Sequence, residues 1–256
     1  MLNYQIAITM AKVPRTTTGI HGLDPLVSGG FIPGRSILLA GSPGTGKTTF
    51  GLQFICEGAK AGEPGIILSL EEDPKTWRTD MLNFGYDLEL LEAANKIRIV
   101  DASLVKIGLE SDEKFSLAPQ EFDMNHILSR IIKEARQIGA KRVLVDSLPA
   151  LDILYRDDSL AIRSDILKLH YLFKANGLTT MLISEIDEGG RSYSKHGVEE
   201  YIVDGVITLH YLSLGSQSGR TLIIRKMRGT AHSEDIHPLE FVTGKGIVVK
   251  RVEDSL

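Results

Sequence analysis

Residues 41–48 read GSPGTGKT, which fits the pattern G-x-x-x-x-G-K-[ST] of a phosphate-binding loop in full. The apolar run SILLA (36–40) precedes the loop, and a helical pattern from about Gly46 to Ala61 follows it. The motif therefore lies between a strand and a helix, as this type of loop requires. Its glycines let backbone N–H groups face a phosphate, and the N-terminus of the following helix adds partial positive charge. The stretch predicts a binding site for ATP.

Two side chains of this loop have predicted roles of their own. Lys47 is expected to reach the β- and γ-phosphates, and the Thr48 hydroxyl is expected to coordinate Mg²⁺. The alternative is a glycine-rich turn that only connects a strand to a helix, which the complete motif in this context disfavours. The predicted nucleotide-binding residues of the loop are Gly41, Ser42, Pro43, Gly44, Thr45, Gly46, Lys47, Thr48 and Thr49.

Strand-like and helix-like segments alternate along the chain, which predicts an α/β fold with a mainly parallel central sheet flanked by helices. From Val203 onward the pattern indicates an antiparallel β extension, in which 206–212 and 221–227 pair around 215–219 and two short strands follow near Leu239 and Ile247. The segment 102–122 has no clear period and is interpreted as a loop or an insertion. The other predicted strands are 65–70, 96–100, 142–145 and 178–184, and the other predicted helices are 73–84, 124–138 and 159–175.

The composition is that of an ordinary globular protein. The chain has 256 residues, of which 43% are hydrophobic and 24% charged, enough for one large domain. The net charge of −4 gives none of the overall basic character that favours nucleic-acid or membrane binding. The single cysteine, Cys56, excludes a disulfide within the chain and fits a reducing compartment. No apolar run could cross a bilayer and the N-terminus does not resemble a signal peptide, so the predicted location is the cytoplasm, with no membrane partner.

An acidic residue ends the apolar run RVLVD at Asp146. Ligands of open α/β sheets bind at the carboxyl ends of the strands, and Mg²⁺ prefers carboxylate oxygens. Asp146 is therefore the predicted second metal-binding residue besides Thr48. The alternative is a turn or helix cap, since Asp followed by Ser is common there.

Three acidic residues, Glu71, Glu72 and Asp73, follow the strand 65–70. Asp73 precedes Pro74 and is expected to cap the next helix. Glu71 or Glu72 could orient or deprotonate the water that attacks the γ-phosphate. A solvated turn beside a helix N-terminus explains the same residues equally well. The sequence does not distinguish between the two glutamates.

The stretch KMRGTAH (226–232) follows the apolar residues 222–224. Residues two apart on a strand point to one face, so Lys226 and Arg228 are expected to project side by side, with Met227 on the other face. Two cations in this arrangement could meet a phosphoryl group, which spreads negative charge over its oxygens during transfer. Alternatively, the basic residues protect an edge strand against unwanted pairing.

Taken together, GIHGLDPLVSGGFIPGRSILLAGSPGTGKTTF, SLEEDP, VLVDS and KMRGTAH closely resemble the KaiC-type branch of the RecA-like ATPases, and the resemblance covers about 17–249. It implies a RecA-like P-loop core and an ATPase that uses Mg²⁺, with Glu71 and Glu72 in the role of catalytic base. It also implies that Lys226 and Arg228 reach the nucleotide held by a neighbouring subunit. Further residues implied to line the nucleotide site are Asn83, Met227, Thr230 and His232.

The same resemblance implies a homo-oligomer, expected to be a hexameric ring. The circadian clock protein of that family has two such domains in one chain, whereas this chain has a single one. Acidic residues at 199–200 occupy the stretch that carries an autophosphorylated Ser-Thr pair in the clock protein's second half, so the resemblance favours slow ATP hydrolysis over autokinase activity. The expected boundaries are an N-terminal arm or strand (1–16), one ATPase domain (17–251) and a tail (252–256). The expected role is a regulatory or signalling switch that acts on a protein partner.

A different class of function is a recombination or DNA-repair accessory protein, as in the archaeal RadA paralogues, which share this core. The segment DEGGRSYSKH (187–196) falls where RecA-like recombinases carry a DNA-binding loop, and its cations and tyrosine suit single-stranded DNA. Acidic neighbours and the negative net charge instead favour a glycine-hinged surface loop. Nucleic-acid binding is therefore the second choice.

Overall fold

The computed structural model describes residues 13–155, 158–186, 192–214 and 217–250. The predicted N-terminal arm lies largely outside these ranges, as do the predicted tail and the first half of the predicted DNA-binding loop. The strands are β1 (Ser36–Gly41), β2 (Gly65–Ser69), β3 (Ile97–Asp101), β4 (Arg142–Asp146), β5 (Thr179–Glu185), β6 (Gly205–Leu214), β7 (Gln217–Met227), β8 (Ile236–Val242) and β9 (Gly246–Val249). The helices are α1 (Lys47–Lys60), α2 (Pro74–Leu82), α3 (Leu88–Ala93), α4 (Met124–Ile138), α5 (Asp152–Tyr155), α6 (Ser159–Ala175) and α7 (Glu199–Ile202).

Within the described ranges all nine strands form one sheet, in the order β3-β2-β4-β5-β1-β6-β7-β8-β9. The strands from β3 to β6 in this order pair in parallel, and β7, β8 and β9 pair antiparallel. The α/β fold with an antiparallel C-terminal extension is thus confirmed. One detail was wrong: β6 is not purely antiparallel, because it also pairs in parallel with β1 and so continues the central sheet.

Alternating residues of β1 divide the core between the two faces of the sheet. Ile37 and Leu39 pack on the side that includes buried residues of α1 and α2, whereas Leu38 and Ala40 pack on the side that includes α4 and α6. Every residue of β1 is buried, as expected for a parallel strand covered on both faces. This burial fixes β1, and with it the start of the loop at 41–48.

Local capping residues explain where several helices begin and end. The Asp73 side chain accepts a hydrogen bond from the Lys75 N–H at the start of α2, as predicted, and Gly139 ends α4 with a left-handed backbone. The predicted α1, α4 and α6 are present with nearly the predicted bounds. The short helices α3, α5 and α7 were not predicted, since four to six residues carry too little periodicity. No helix in the described ranges is long and apolar enough to cross a membrane.

The parallel strands give the sheet two chemically different edges. The carboxyl ends of β1, β2 and β4 bring the loop at 41–48, Glu71-Glu72 and Asp146 to one edge. The stretch 226–232 lies at the opposite, amino edge, because Met227 pairs with Gly205, which pairs with Ile37 near the start of β1. The predicted site residues of one chain therefore fall into two groups.

Candidate functional site

Glycine shapes the loop after β1 where another side chain would not fit. Gly44 and Gly46 have φ angles of 75° and 101°. A Cβ atom on Gly46 would lie 2.5 Å from the Phe241 ring, and one on Gly41 would lie 2.7 Å from the carbonyl oxygen of Leu209. Helix α1 begins at Lys47, directly after the loop, so the N–H groups of its first turn border it. This geometry suits the binding of a phosphate.

Lys47 folds over the loop that precedes it. Its Nζ donates to the carbonyl oxygens of residues 41 and 42, at 2.8 and 3.1 Å. Burial lowers the pKa of Lys47, and the negative charges of Glu185, Asp146 and Glu71 partly offset that effect. The ammonium group thus lies in a field of carboxylates, where an incoming phosphate would meet a cation already directed at the loop.

Asp146 is a buried carboxylate at the end of β4, with only 5% of its surface exposed. It is hydrogen-bonded to Thr48, while its Oδ2 atom is buried and has no partner within the described residues. Burial raises the pKa of Asp146 to about 7, the negative charges of Glu72 and Glu71 add to the rise, and the Thr48 hydrogen bond opposes it. An orphaned oxygen beside a threonine hydroxyl is the arrangement that a divalent cation would complete.

The two glutamates after β2 have different partners. Glu71 Oε2 accepts a hydrogen bond of 2.6 Å from the Ser147 hydroxyl, directly after Asp146. Glu72 Oε2 instead accepts from the indole N–H of Trp77, a residue of α2 that is 2% exposed. Glu71 is therefore linked to the end of β4, whereas Glu72 is linked to the next helix along the chain. Sequence reasoning left the pair undivided because the contact of Glu71 with Ser147 joins residues that are far apart in the chain.

Three further residues at this edge were missed by sequence reasoning. Glu185 ends β5 and pairs in register with Gly41, which places its charge near Lys47. The Tyr211 hydroxyl and Arg220 Nε both donate to the Gly44 carbonyl oxygen, at 2.8 and 3.1 Å. Glu185 could have been found by the rule that strand ends carry ligands. No sequence signal identifies Tyr211 and Arg220, since their contact depends on the strand order.

At the amino edge, Lys226 and Arg228 do project together, although β7 ends between them at Met227. Lys226 Nζ donates to the carbonyl oxygens of residues 200 and 203, at 2.7 and 2.6 Å. Arg228 donates to those of residues 201 and 202, at 3.2 and 3.5 Å. Both cations thus lie at the carbonyl end of α7, which favours positive charge. Met227 points away into the core with 7% exposure.

The other residues implied by the family resemblance are divided between the edges. Asn83 is exposed at the end of α2, and its carbonyl oxygen accepts from Gly244 in the β8–β9 turn, at the edge that holds the phosphate loop. Thr230 and His232 follow the two cations at the amino edge. The Thr230 hydroxyl accepts from Arg15 at 2.7 Å.

A histidine connects α5 to α7. His196 Nε2 lies 2.5 Å from Asp152 Oδ1 on α5, and its Nδ1 lies 2.7 Å from Glu199 Oε1 on α7. Burial lowers the pKa of His196, but the hydrogen bonds to both carboxylates outweigh burial and the net pKa is raised. Burial raises the pKa of Glu199, but its hydrogen bonds outweigh burial and lower the pKa to about 2. This bridge holds α7, and so the acceptors of Lys226 and Arg228, in a fixed position.

Comparisons with known proteins identify the family of this chain. The sequence model of the family described as "ATPase: KaiC" matches residues 16–254. A UPF0273 protein of Pyrococcus horikoshii is 38% identical over 92% of this chain and 93% of its own length. The circadian clock protein KaiC3 of Synechocystis is 34% identical over 93% of this chain and 46% of its own length. A crystal structure of a KaiC-like protein from Pyrococcus horikoshii covers 94% of this chain and 100% of its own, with 37% identity and a TM-score of 0.80.

Proposed function

Because this chain belongs to the KaiC family of ATPases, we propose that it binds ATP with Mg²⁺ and hydrolyses the nucleotide slowly as a homo-oligomer. In this proposal the carboxyl edge of one subunit holds the ATP, and the amino edge of the next subunit supplies Lys226 and Arg228. The oligomer is a head-to-tail ring, expected to be a hexamer, in the cytoplasm. Its output is a change of assembly or conformation that a protein partner reads.

One observation carries the proposal: Lys226 and Arg228 lie at the opposite edge of the sheet from the phosphate loop of the same chain. Gly41 is in register with Leu209, and Met227 is in register with Gly205. These two levels are four positions apart along β6, which corresponds to roughly 13 Å along a strand. Lys226 and Arg228 are also directed at α7, on their own side of the sheet. A second copy of the chain could bring them to the phosphates.

Within the site we assign Glu71 as the base and Glu72 as its support. Glu71 is held by Ser147, next to Asp146, and its charge acts on Lys47. A carboxylate so placed can orient the attacking water and accept its proton. Glu72 is bound to Trp77, which keeps the turn after β2 in place. Lys47 on one side and Lys226 and Arg228 on the other would neutralise the charge of the γ-phosphoryl group.

The residues present fit Mg²⁺, whose chemistry is to neutralise phosphate charge and hold the phosphate oxygens in position. The unpartnered Asp146 Oδ2 and the Thr48 hydroxyl are suitable hard ligands. Among the described residues no group of three or more His, Cys, Asp or Glu side chains could hold a metal alone. Mg²⁺ would therefore take its other ligands from ATP and water, as is usual for this ion.

The experiment is a mixing assay with two defective variants. Subunits with Arg228→Ala lack the arginine finger, which is the guanidinium that one subunit supplies to the ATP of its neighbour. Subunits with Glu71→Gln and Glu72→Gln lack the base, so each variant should hydrolyse little ATP alone. In mixed rings some sites pair an intact base with an intact finger. A 1:1 mixture should recover about a quarter of the wild-type activity, because head-to-tail contacts form at random. Arg136→Ala, an exposed arginine on α4, is the matched control and should behave as wild type.

Recovery on mixing supports a shared site. Full activity of Arg228→Ala alone contradicts the finger assignment. Mixed rings that form, as detected by native mass spectrometry, without any recovery contradict the shared site.

A further inference from the structure

Asp204 directly precedes β6, and its carboxylate is buried at the amino edge of the sheet. Only 2% of its surface is exposed. Its Oδ1 accepts from Arg35 Nη1 at 2.6 Å, and its Oδ2 accepts from the Ser36 N–H at 3.3 Å. Its own N–H donates to the Ser36 carbonyl oxygen at 2.9 Å. Asp204 is therefore fixed to the start of β1 by side chain and backbone together.

The same residue also contacts Arg228 in two ways. The Asp204 carbonyl oxygen accepts from the Arg228 N–H at 2.9 Å, which fixes the backbone where β7 ends. Asp204 Oδ1 lies 3.8 Å from Arg228 Nη1, so carboxylate and guanidinium attract each other. The Arg228 side chain is nevertheless 48% exposed. The guanidinium is thus held on one side and open on the other.

The charge balance around Asp204 leaves Arg228 available. Burial raises the pKa of Asp204, but the hydrogen bond from Arg35 and that from Ser36 outweigh burial and the net pKa is lowered, so the group is a carboxylate at neutral pH. Arg35, the closer cation, neutralises this charge. The Asp204 carboxylate therefore orients Arg228, while its main ion-pair partner is Arg35.

We infer that Asp204, backed by Arg35, is a positioning residue that holds the Arg228 guanidinium toward the ATP of the neighbouring subunit. This inference rests on the proposed role of Arg228 across the subunit boundary. A free arginine side chain loses rotamer entropy when it is fixed. A buried, immobile carboxylate removes part of that loss before ATP arrives, which is how preorganised charges accelerate phosphoryl transfer.

Lys226 provides an internal contrast. Its ammonium group donates to the backbone carbonyl oxygens of residues 200 and 203 at 2.7 and 2.6 Å. Arg228 makes longer hydrogen bonds to the backbone, 3.2 and 3.5 Å, and is also paired with the Asp204 carboxylate at 3.8 Å. Asp204 should therefore matter for Arg228 more than for Lys226. Removal of its charge should weaken the arginine finger and leave the lysine in place.

The test begins with Asp204→Asn, which keeps the shape of the side chain and removes its charge. We expect kcat for ATP to fall about tenfold or more, a loss typical of an orienting partner, with the affinity for ATP and the size of the oligomer unchanged. The matched control is Asp235→Asn, which removes an exposed carboxylate from the segment just after the finger. That variant should hydrolyse ATP like the wild type.

Mixing then separates a positioning role from a general structural one. Asp204→Asn subunits have intact glutamates, so they should recover activity when they are mixed with the Glu71→Gln/Glu72→Gln variant, as Arg228→Ala subunits do. They should not recover when they are mixed with Arg228→Ala, since both then lack a working finger. Recovery with Arg228→Ala but not with the double glutamate variant would mean that Asp204 supports its own ATP site, and failure in both mixtures would mean a general structural role. Either result overturns the inference. Normal activity of Asp204→Asn alone overturns it as well.

Two outcomes distinguish this inference from the proposed function. If Arg228→Ala is fully active, the proposed shared site is wrong, and so is the positioning role of Asp204. If Arg228→Ala is inactive and Asp204→Asn has wild-type activity, only the positioning role is wrong. Should Asp204→Asn fail to fold, Arg35→Gln replaces it: loss of Arg35 should draw Arg228 toward Asp204, lower kcat by a similar factor and give the same mixing pattern. Wild-type activity of Arg35→Gln would then contradict the inference.

Discussion

Glu71 and Glu72 are neighbours in the sequence, yet their carboxylates face different partners. Ser147 binds Glu71 and Trp77 binds Glu72. The position of Asp146 at the end of a strand predicted a metal ligand there. The family resemblance implied the catalytic base at Glu71 and Glu72, since the residues alone fitted a solvated turn equally well. The sequence could not divide the two glutamates, since the division depends on β2 and β4 being neighbours in the sheet. The assignment of roles is therefore a structural inference that single substitutions can test.

We expect Glu71→Gln to lower kcat about 10²- to 10⁴-fold, as loss of a general base does, with ATP binding retained. Glu72→Gln should cost less, about tenfold, because an amide oxygen can still accept from the Trp77 indole. Steady-state hydrolysis and calorimetric ATP binding measure both effects. The assignment would be reversed if Glu72→Gln abolished hydrolysis while Glu71→Gln remained active.

Helix α1 follows the phosphate loop and packs tightly on β4. Gly58 lies within this helix, where alanine would ordinarily stabilise the protein by about 1 kcal/mol. Here a Cβ atom would lie 2.3 Å from the side chain of the fully buried Arg142. Arg142 in turn forms an ion pair of 2.6 Å with Glu63 and donates to the Phe54 carbonyl oxygen.

We therefore expect Gly58→Ala to destabilise the chain by about 1–3 kcal/mol, the usual cost of overpacking, instead of stabilising it. Chemical denaturation followed by circular dichroism gives the free energy of unfolding. Gly219→Ala is the control, since the space around that strand residue is open. A higher unfolding free energy for Gly58→Ala would show that Arg142 can move aside.

The His196 bridge between α5 and α7 predicts a pH dependence of stability. The pKa of His196 is raised from its usual 6.5, so its contribution is complete below about pH 6.5 and is lost as the pH rises through the folded value. His196→Gln should therefore lower the free energy of unfolding by about 1–3 kcal/mol at pH 5.5, and by less at pH 9.

The control for this prediction is His126→Gln. His126 pairs with Asp123 and its pKa is also raised, but the pair is exposed at the start of α4. Solvent screens such pairs, so its loss should change little at either pH. An equal effect of His196→Gln at pH 5.5 and at pH 9 would contradict a charged bridge.

Local signals in the sequence explain which elements could be predicted. The strands beside the phosphate loop, the Asp73 cap and the Gly139 stop depend on neighbouring residues alone, and the structure confirms them. Helix α7 has four residues and depends on contacts with His196 and Lys226, so no periodicity indicates it. The contact of Arg220 with the phosphate loop depends on β6 lying beside β1. Long-range strand pairing, and the side-chain contacts that depend on it, could not be predicted from local patterns.

A site shared between subunits makes activity depend on concentration. Dilution below the assembly constant should lower the specific ATPase activity, because isolated chains lack Lys226 and Arg228 at their phosphates. Hydrolysis and mass photometry at matched concentrations should fall together. Constant specific activity in a population of monomers would contradict the shared site.

The β6–β7 hairpin has a consequence for how such an assembly communicates. Near its turn, Tyr211 and Arg220 hold the Gly44 carbonyl of the phosphate loop, and at its open end it carries Lys226. In a head-to-tail ring, Tyr211 and Arg220 would contact the loop that binds a subunit's own nucleotide. Lys226 would contact the nucleotide of the next subunit. Nucleotide binding at one site would then change the affinity of the adjacent site through the hairpin, and the adjacent site would change the affinity of the first by the same factor, because coupling between two binding sites is reciprocal.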